Sequence, residues 1–139
     1  MKQIAMYVNG HTLQNRNPGT GGGGIVLSYG GNTKELSIPV GMTTNNKAEL
    51  TAVIAGFEAL TQPCAVTVYS CSQWLINCGS GVWGRNNHHP LWDALAEHTA
   101  KHTVTFQWIK KGSHELLVRA SMLANEGANE SAMELKKTS

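Results

Sequence analysis

One aspartate, Asp93, is all that this 139-residue chain contains, and that scarcity excludes any chemistry built on a cluster of aspartates. Charge is sparse as well. Charged residues make up 14% and the net excess is +2, too little to argue for a polyanionic partner on charge alone. No apolar run approaches the roughly 20 residues that span a bilayer, and Met1-Lys2-Gln3 opens no secretory signal, so neither a helical anchor nor export is expected. Three cysteines (Cys64, Cys71 and Cys78) leave one thiol odd under any pairing, which points to a reducing, cytoplasmic interior. There is no internal repeat and no heptad pattern. With 41% hydrophobic residues, the chain is expected to form one domain over residues 1–139 with a core of its own.

The patterning alternates between strand and helix. Residues 2–9 place Ile4, Met6 and Val8 on one face and Ala5, Tyr7 and Asn9 on the other, as a strand does. Residues 10–24 read as a polar, glycine-rich loop around the turn signal Asn17-Pro18-Gly19. Ile25–Tyr29 and Thr33–Val40 flank Gly30-Gly31-Asn32 as a hairpin. A helix is expected from about Asn46 to Leu60, with Leu50, Val53, Ile54, Phe57 and Leu60 as its apolar stripe. Ala65–Tyr69 is a buried strand, Ser72 begins a short helix, and Pro90 stands at the start of another. Val104, Phe106 and Trp108 alternate as a fifth strand, and a last helix is expected from about Glu115 to Asn129. From about residue 131 the tail has no period and is expected to fray. Three strands followed by alternating helices and strands make an α/β domain, a mixed sheet flanked by helices.

Three stretches carry a resemblance: Tyr7-Val8-Asn9-Gly10, Thr43-Thr44-Asn45-Asn46-Lys47-Ala48-Glu49-Leu50 and Tyr69-Ser70-Cys71-Ser72-Gln73-Trp74. With Arg119-Ala120-Ser121 on the last helix, they resemble type 1 ribonuclease H, and the element order agrees from residue 2 to about 130. The resemblance implies a five-stranded mixed sheet flanked by helices. It also implies hydrolysis of RNA in RNA–DNA hybrids by two divalent cations held on three Asp and one Glu. Here the Glu is Glu49, while the three Asp positions read Asn9, Cys71 and Ser121.

Two divalent cations bring roughly +4 of charge and need clustered anionic oxygens to hold it. Asn9 keeps a neutral carbonyl, Cys71 offers a soft sulfur ill-suited to Mg²⁺ or Mn²⁺, and Ser121 is short and neutral. The anionic charge of the site falls from four to one. Glu126 and Glu130 lie roughly 140° and 180° around the helix from Ser121 and cannot substitute. His114, in the loop where the family keeps a catalytic His, aligns with a second and non-catalytic one. No metal is expected, and Mg²⁺ or Mn²⁺ would matter only for residual activity. Three replacements together point to natural loss rather than one engineered change.

The groups with which the family holds its duplex fare better. By that resemblance Thr44, Asn45 and Asn46 contact sugar and phosphate, Gln73 reads the minor groove, and Asn17 contacts the RNA strand. Lys47, Lys110 and Lys111 are expected to add salt-sensitive phosphate contacts. The plainer reading is a helix N-terminus, since Thr and Asn cap helices in any protein. The basic protrusion of many bacterial members is reduced here to Val82-Trp83-Gly84-Arg85-Asn86-Asn87-His88-His89, so hybrid affinity is expected to be modest.

Other candidates were weighed against plainer roles. Asn9 and His11 share one side of an extended chain, and His11, Cys71 and Glu49 are ligand types that Zn²⁺ accepts. The plainer reading is a buried thiol and a surface histidine. His88-His89 reads as a solvated pair. Gly21–Gly24 lacks the Lys-Ser/Thr of a phosphate loop and leads into a strand. Trp92 and Trp108 are expected in the core, and Trp83 on the surface.

Three functions follow. The first is an inactive ribonuclease H homologue that binds an RNA–DNA hybrid or RNA duplex. The second is a structural module with a protein partner in a larger nucleic-acid complex. The third is a ribonuclease with weak or altered metal-dependent activity.

Overall fold

The computed structural model describes residues 1–138. Five strands form one sheet: β1 (Lys2–Thr12), β2 (Gly19–Tyr29), β3 (Asn32–Thr43), β4 (Cys64–Ser70) and β5 (Thr103–Trp108). Their spatial order is β3-β2-β1-β4-β5. The β1–β2 and β2–β3 pairs are antiparallel, while β1–β4 and β4–β5 are parallel, so the sheet is mixed as expected. The helices are α1 (Asn45–Glu58), α2 (Gln73–Gly79), α3 (His89–Thr99) and α4 (Glu115–Thr138).

The alternation along β1 sorts the helices between the two faces. Met6 and Val8 are buried with Leu50, Val53 and Phe57 of α1 and with Trp92 and Leu95 of α3. Tyr7 points to the opposite face, where Val26, Leu117, Ala120 and Leu123 close a second core under α4. This two-sided burial explains why β4 reads as a near-continuous apolar run. It also puts Asn9, two residues after Tyr7, on the α4 side of β1.

Two expectations fail, for one physical reason. The second half of the glycine-rich segment is strand, not loop: Gly21–Gly24 pair with β1 on one side and β3 on the other. The last helix passes its expected end near Asn129 and continues through the segment expected to fray, to Thr138. Each feature depends on the other. The glycines let α4 lie directly on β2, and the far half of α4 is fixed where it lies. Ser131 is 1% exposed; its hydroxyl donates to the Gly21 carbonyl at 2.8 Å and accepts from the Gly41 amide at 3.0 Å. Among the described residues, no helix is long and apolar enough to cross a membrane.

Candidate functional site

β1 and β4 run parallel, and their carboxyl ends open side by side. Asn9 near the end of β1, Cys71 just past β4 and Ser121 on α4 line one cavity of about 180 Å³. Lys111 and Gly112 border it from the loop before α4, and Leu117, Val118 and Met122 supply its apolar wall. Three of the four positions singled out in the sequence therefore meet. The fourth, Glu49, lies beside them, near enough for its charge to act on the Cys71 thiol.

Glu49 is 4% exposed, and both its oxygens are engaged. The Ser70 hydroxyl donates to Oε1 and the Gly10 amide to Oε2, each at 2.5 Å. Burial pushes its pKa up to about 7, although both hydrogen bonds favour the charged form. Burial likewise raises the Cys71 thiol; Glu49 adds to that shift and Lys111 opposes it. A single carboxylate with occupied oxygens, an amide, a thiol and a hydroxyl do not fit a pair of divalent cations. The alternative trio fits no better. Among the described residues no three His, Cys, Asp or Glu side chains converge on a metal position, and His11 is turned to Asn9, Nδ1 to Oδ1 at 2.9 Å.

An acid whose folded pKa lies above its ordinary value binds a proton on folding. The stability it allows is present below pH 4.5 and is lost as pH rises to about 7. Glu49→Gln is accordingly expected to stabilise the fold at pH 8 by about 2 kcal/mol, somewhat less than the shift converts to. At pH 5 the change should be small. Urea denaturation at the two pH values measures the difference, and equal effects at both would refute the buried charge.

A second cleft, of about 320 Å³, gathers Asn17, Thr44, Asn45, Asn46 and His88. Four of the five residues proposed for duplex contact thus share one surface, although they do not all face it in the same way. Thr44 caps α1, its side chain accepting from the Lys47 amide at 3.2 Å. Asn45 is committed inward: its Oδ1 accepts from the Thr12 amide at 2.8 Å and its nitrogen donates to Asn15 Oδ1. It pins the β1–β2 loop to α1 and so positions Asn17 instead of reaching outward. Asn46 is exposed. Gln73 opens α2, exposed, and does not line this cleft. Sequence reasoning passed over His88 as a solvated residue, though the Pro90 that marks the start of α3 also marks its neighbourhood. His88 adopts a left-handed conformation at the α3 N-cap, and its ring meets Trp74 edge-on.

His114 stacks on Tyr7, and its Nδ1 accepts from the Leu116 amide at 3.0 Å. Trp92 is buried and Trp83 exposed, as expected. Trp108 departs from expectation: 41% exposed, it lies on the end strand of the sheet and donates to the Cys71 carbonyl at 3.1 Å. Arg85, the one cation of the shortened α2–α3 segment, folds back over Trp92 and donates to the Cys78 and Gly79 carbonyls.

The model of the RNase H family matches residues 1–134. The chain belongs to the ribonuclease H family. Among curated proteins it is similar to Ribonuclease H of Syntrophus aciditrophicus, 38% identical over 91% of this chain and 81% of that protein. Ribonuclease HI of Haemophilus influenzae is 36% identical over 96% of this chain and 94% of that protein. Among solved structures, LC11-RNase H1 in complex with an RNA/DNA hybrid matches with a TM-score of 0.79 and 26% identity. That match covers 93% of this chain and 99% of the other. The N-terminal RNase H domain of a Mycobacterium tuberculosis protein matches with a TM-score of 0.83, over 97% of this chain and 99% of that one. At 20% identity it speaks for the ribonuclease H fold alone.

Proposed function

We propose that this member of the ribonuclease H family binds RNA–DNA hybrid, or duplex RNA, without cutting it by the two-metal route. The observation that carries this reading is a pairing of features. Asn17, Thr44 and Asn46 meet in one cleft, while three neutral side chains and a single buried carboxylate stand where the family resemblance places the metal ligands. Neutral polar groups on a fixed helix start suit the 2′-hydroxyls and phosphates of an A-like duplex, where shape is read more than sequence. The hybrid held by LC11-RNase H1 is consistent with the substrate class. The three free thiols fit a cytoplasmic setting.

Anisotropy of a labelled RNA–DNA hybrid, with duplex DNA and duplex RNA as competitors, tests the reading, and a denaturing gel of the same samples reports cleavage. Saturable binding with an intact RNA strand is the expected result. Asn46→Ala with Gln73→Ala should weaken it by about tenfold, as for two lost hydrogen bonds. No binding would move the assignment to a protein partner.

A second reading has its own support, since the curated relatives are named as ribonucleases. On that reading Mg²⁺ or Mn²⁺ would drive weak cleavage through Glu49, and Glu49→Gln would abolish it. A cut strand that survives Glu49→Gln would count against both.

A further inference from the structure

We propose that the Asn9–Cys71–Ser121 cavity takes a backbone phosphate of the bound duplex directly, held by the Asn9 amide, the Ser121 hydroxyl and the Lys111 ammonium, with no metal between. The inference rests on the duplex-binding reading above and reverses the sign of the site. A carboxylate cluster repels phosphate unless cations intervene. Here the three side chains at the positions where the resemblance places Asp are neutral, and each can donate, the Cys71 thiol only weakly.

The Asn9 amide is oriented for this. Its oxygen faces His11 Nδ1 at 2.9 Å; an amide oxygen only accepts, so the pair bonds in the tautomer that protonates Nδ1, with the Asn9 nitrogen left to donate elsewhere. Among the described residues, neither the Ser121 hydroxyl nor the Lys111 ammonium has a hydrogen-bond or ion-pair partner. Lys111 lies close enough to the cavity for its charge to act on the Cys71 thiol. Glu49 is the opposing charge, and both its oxygens are already held by Ser70 and Gly10. At about 180 Å³, the cavity holds several waters and so has room for a phosphate group. Of its apolar wall Leu117 is buried, while Val118 and Met122 are exposed, so the cavity is open on that side to an incoming phosphate.

The test is hybrid anisotropy in EDTA and in Mg²⁺, over a series of salt concentrations, for the parent chain, Lys111→Ala and Asn9→Asp. The parent should bind in EDTA and gain no affinity from Mg²⁺, which only competes for the duplex phosphates. Lys111 is exposed, so its variant should keep the parent's thermal melt; it is expected to bind about fivefold more weakly and to lower the salt slope by about one. Asn9→Asp should lose about tenfold in EDTA through charge repulsion and regain part of it in Mg²⁺. If the parent binds hybrid but only with Mg²⁺, or if both variants match the parent in EDTA, the phosphate site is refuted while duplex binding stands. A parent that binds no hybrid overturns both readings.

Discussion

Asn9→Asp, Cys71→Asp and Ser121→Asp, introduced together, are expected to raise Mg²⁺-dependent cleavage of the RNA strand on the order of 10⁴-fold over the parent chain. Three carboxylates beside Glu49 would give three to four negative charges around one cavity, enough for two divalent cations. The backbone is already in place: Asn9, Cys71 and Ser121 line the same space, and Glu49 adjoins it. The gain should fall short of the roughly 10⁶-fold at which enzyme accelerations begin, because His114 is packed against Tyr7 and the loop offers no other histidine for proton transfer. Single replacements should gain little, since two acids hold the cations poorly. The readout is a denaturing gel of a labelled hybrid over a Mg²⁺ series. A triple variant that folds and binds Mg²⁺ yet cuts nothing would place the loss outside these positions. A parent that already cuts at a comparable rate would refute the inactive reading altogether.

Gly24→Ala is expected to cost the fold about 3 kcal/mol or more, at the top of the range for overpacking. A methyl group on Gly24 would stand 2.5 Å from the Ala124 amide nitrogen and closer still to the Ala120 carbonyl oxygen. These are backbone atoms of a helix, which cannot rotate away as a side chain can. Helix α4 would have to lift off β2, breaking the buried contacts of Leu117 and Leu123 and moving Ser121 away from Asn9. Duplex binding should therefore fall along with stability. Gly22 is held equally close by the backbone of Gly127 and Ala128. Gly84→Ala is the control: only an Asn86 side-chain oxygen lies near, at 3.5 Å, and its effect should be close to zero. Urea denaturation followed by circular dichroism checks both variants, and a Gly24→Ala as stable as Gly84→Ala would refute the close-packed interface.

These glycines also mark where the sequence stopped being legible. A run of four glycines has no side-chain alternation, so local pattern reads it as loop. Its role as strand depends on the atoms of α4, a hundred residues away. The same distance hid the end of α4. Ser131 looks like the beginning of a polar tail, but its hydroxyl bridges the Gly21 and Gly41 backbones. Trp108 erred in the other direction: an alternating indole reads as core, yet β5 is an end strand and leaves it half covered.

The candidate site divides in the same way. That Asn9, Glu49, Cys71 and Ser121 belong together was legible, because motif and element order carry that information. So was the two-faced alternation of β1 that separates Met6 and Val8 from Tyr7. The division of work within the Thr44–Asn46 segment was not, because hydrogen-bond partners are set by chain crossings: Thr44 caps, Asn45 braces the loop at Thr12 and Asn15, and Asn46 is exposed. Ser70 and His88 entered the sites only in three dimensions. By itself the sequence determined the α/β architecture and the neutrality of Asn9, Cys71 and Ser121 beside Glu49, since both follow from local periodicity and residue identity. Only the tertiary structure decided how these side chains are placed, because a shared cavity, a Glu49 held by Ser70 and Gly10 and an Asn9 amide facing His11 exist only once distant segments pack.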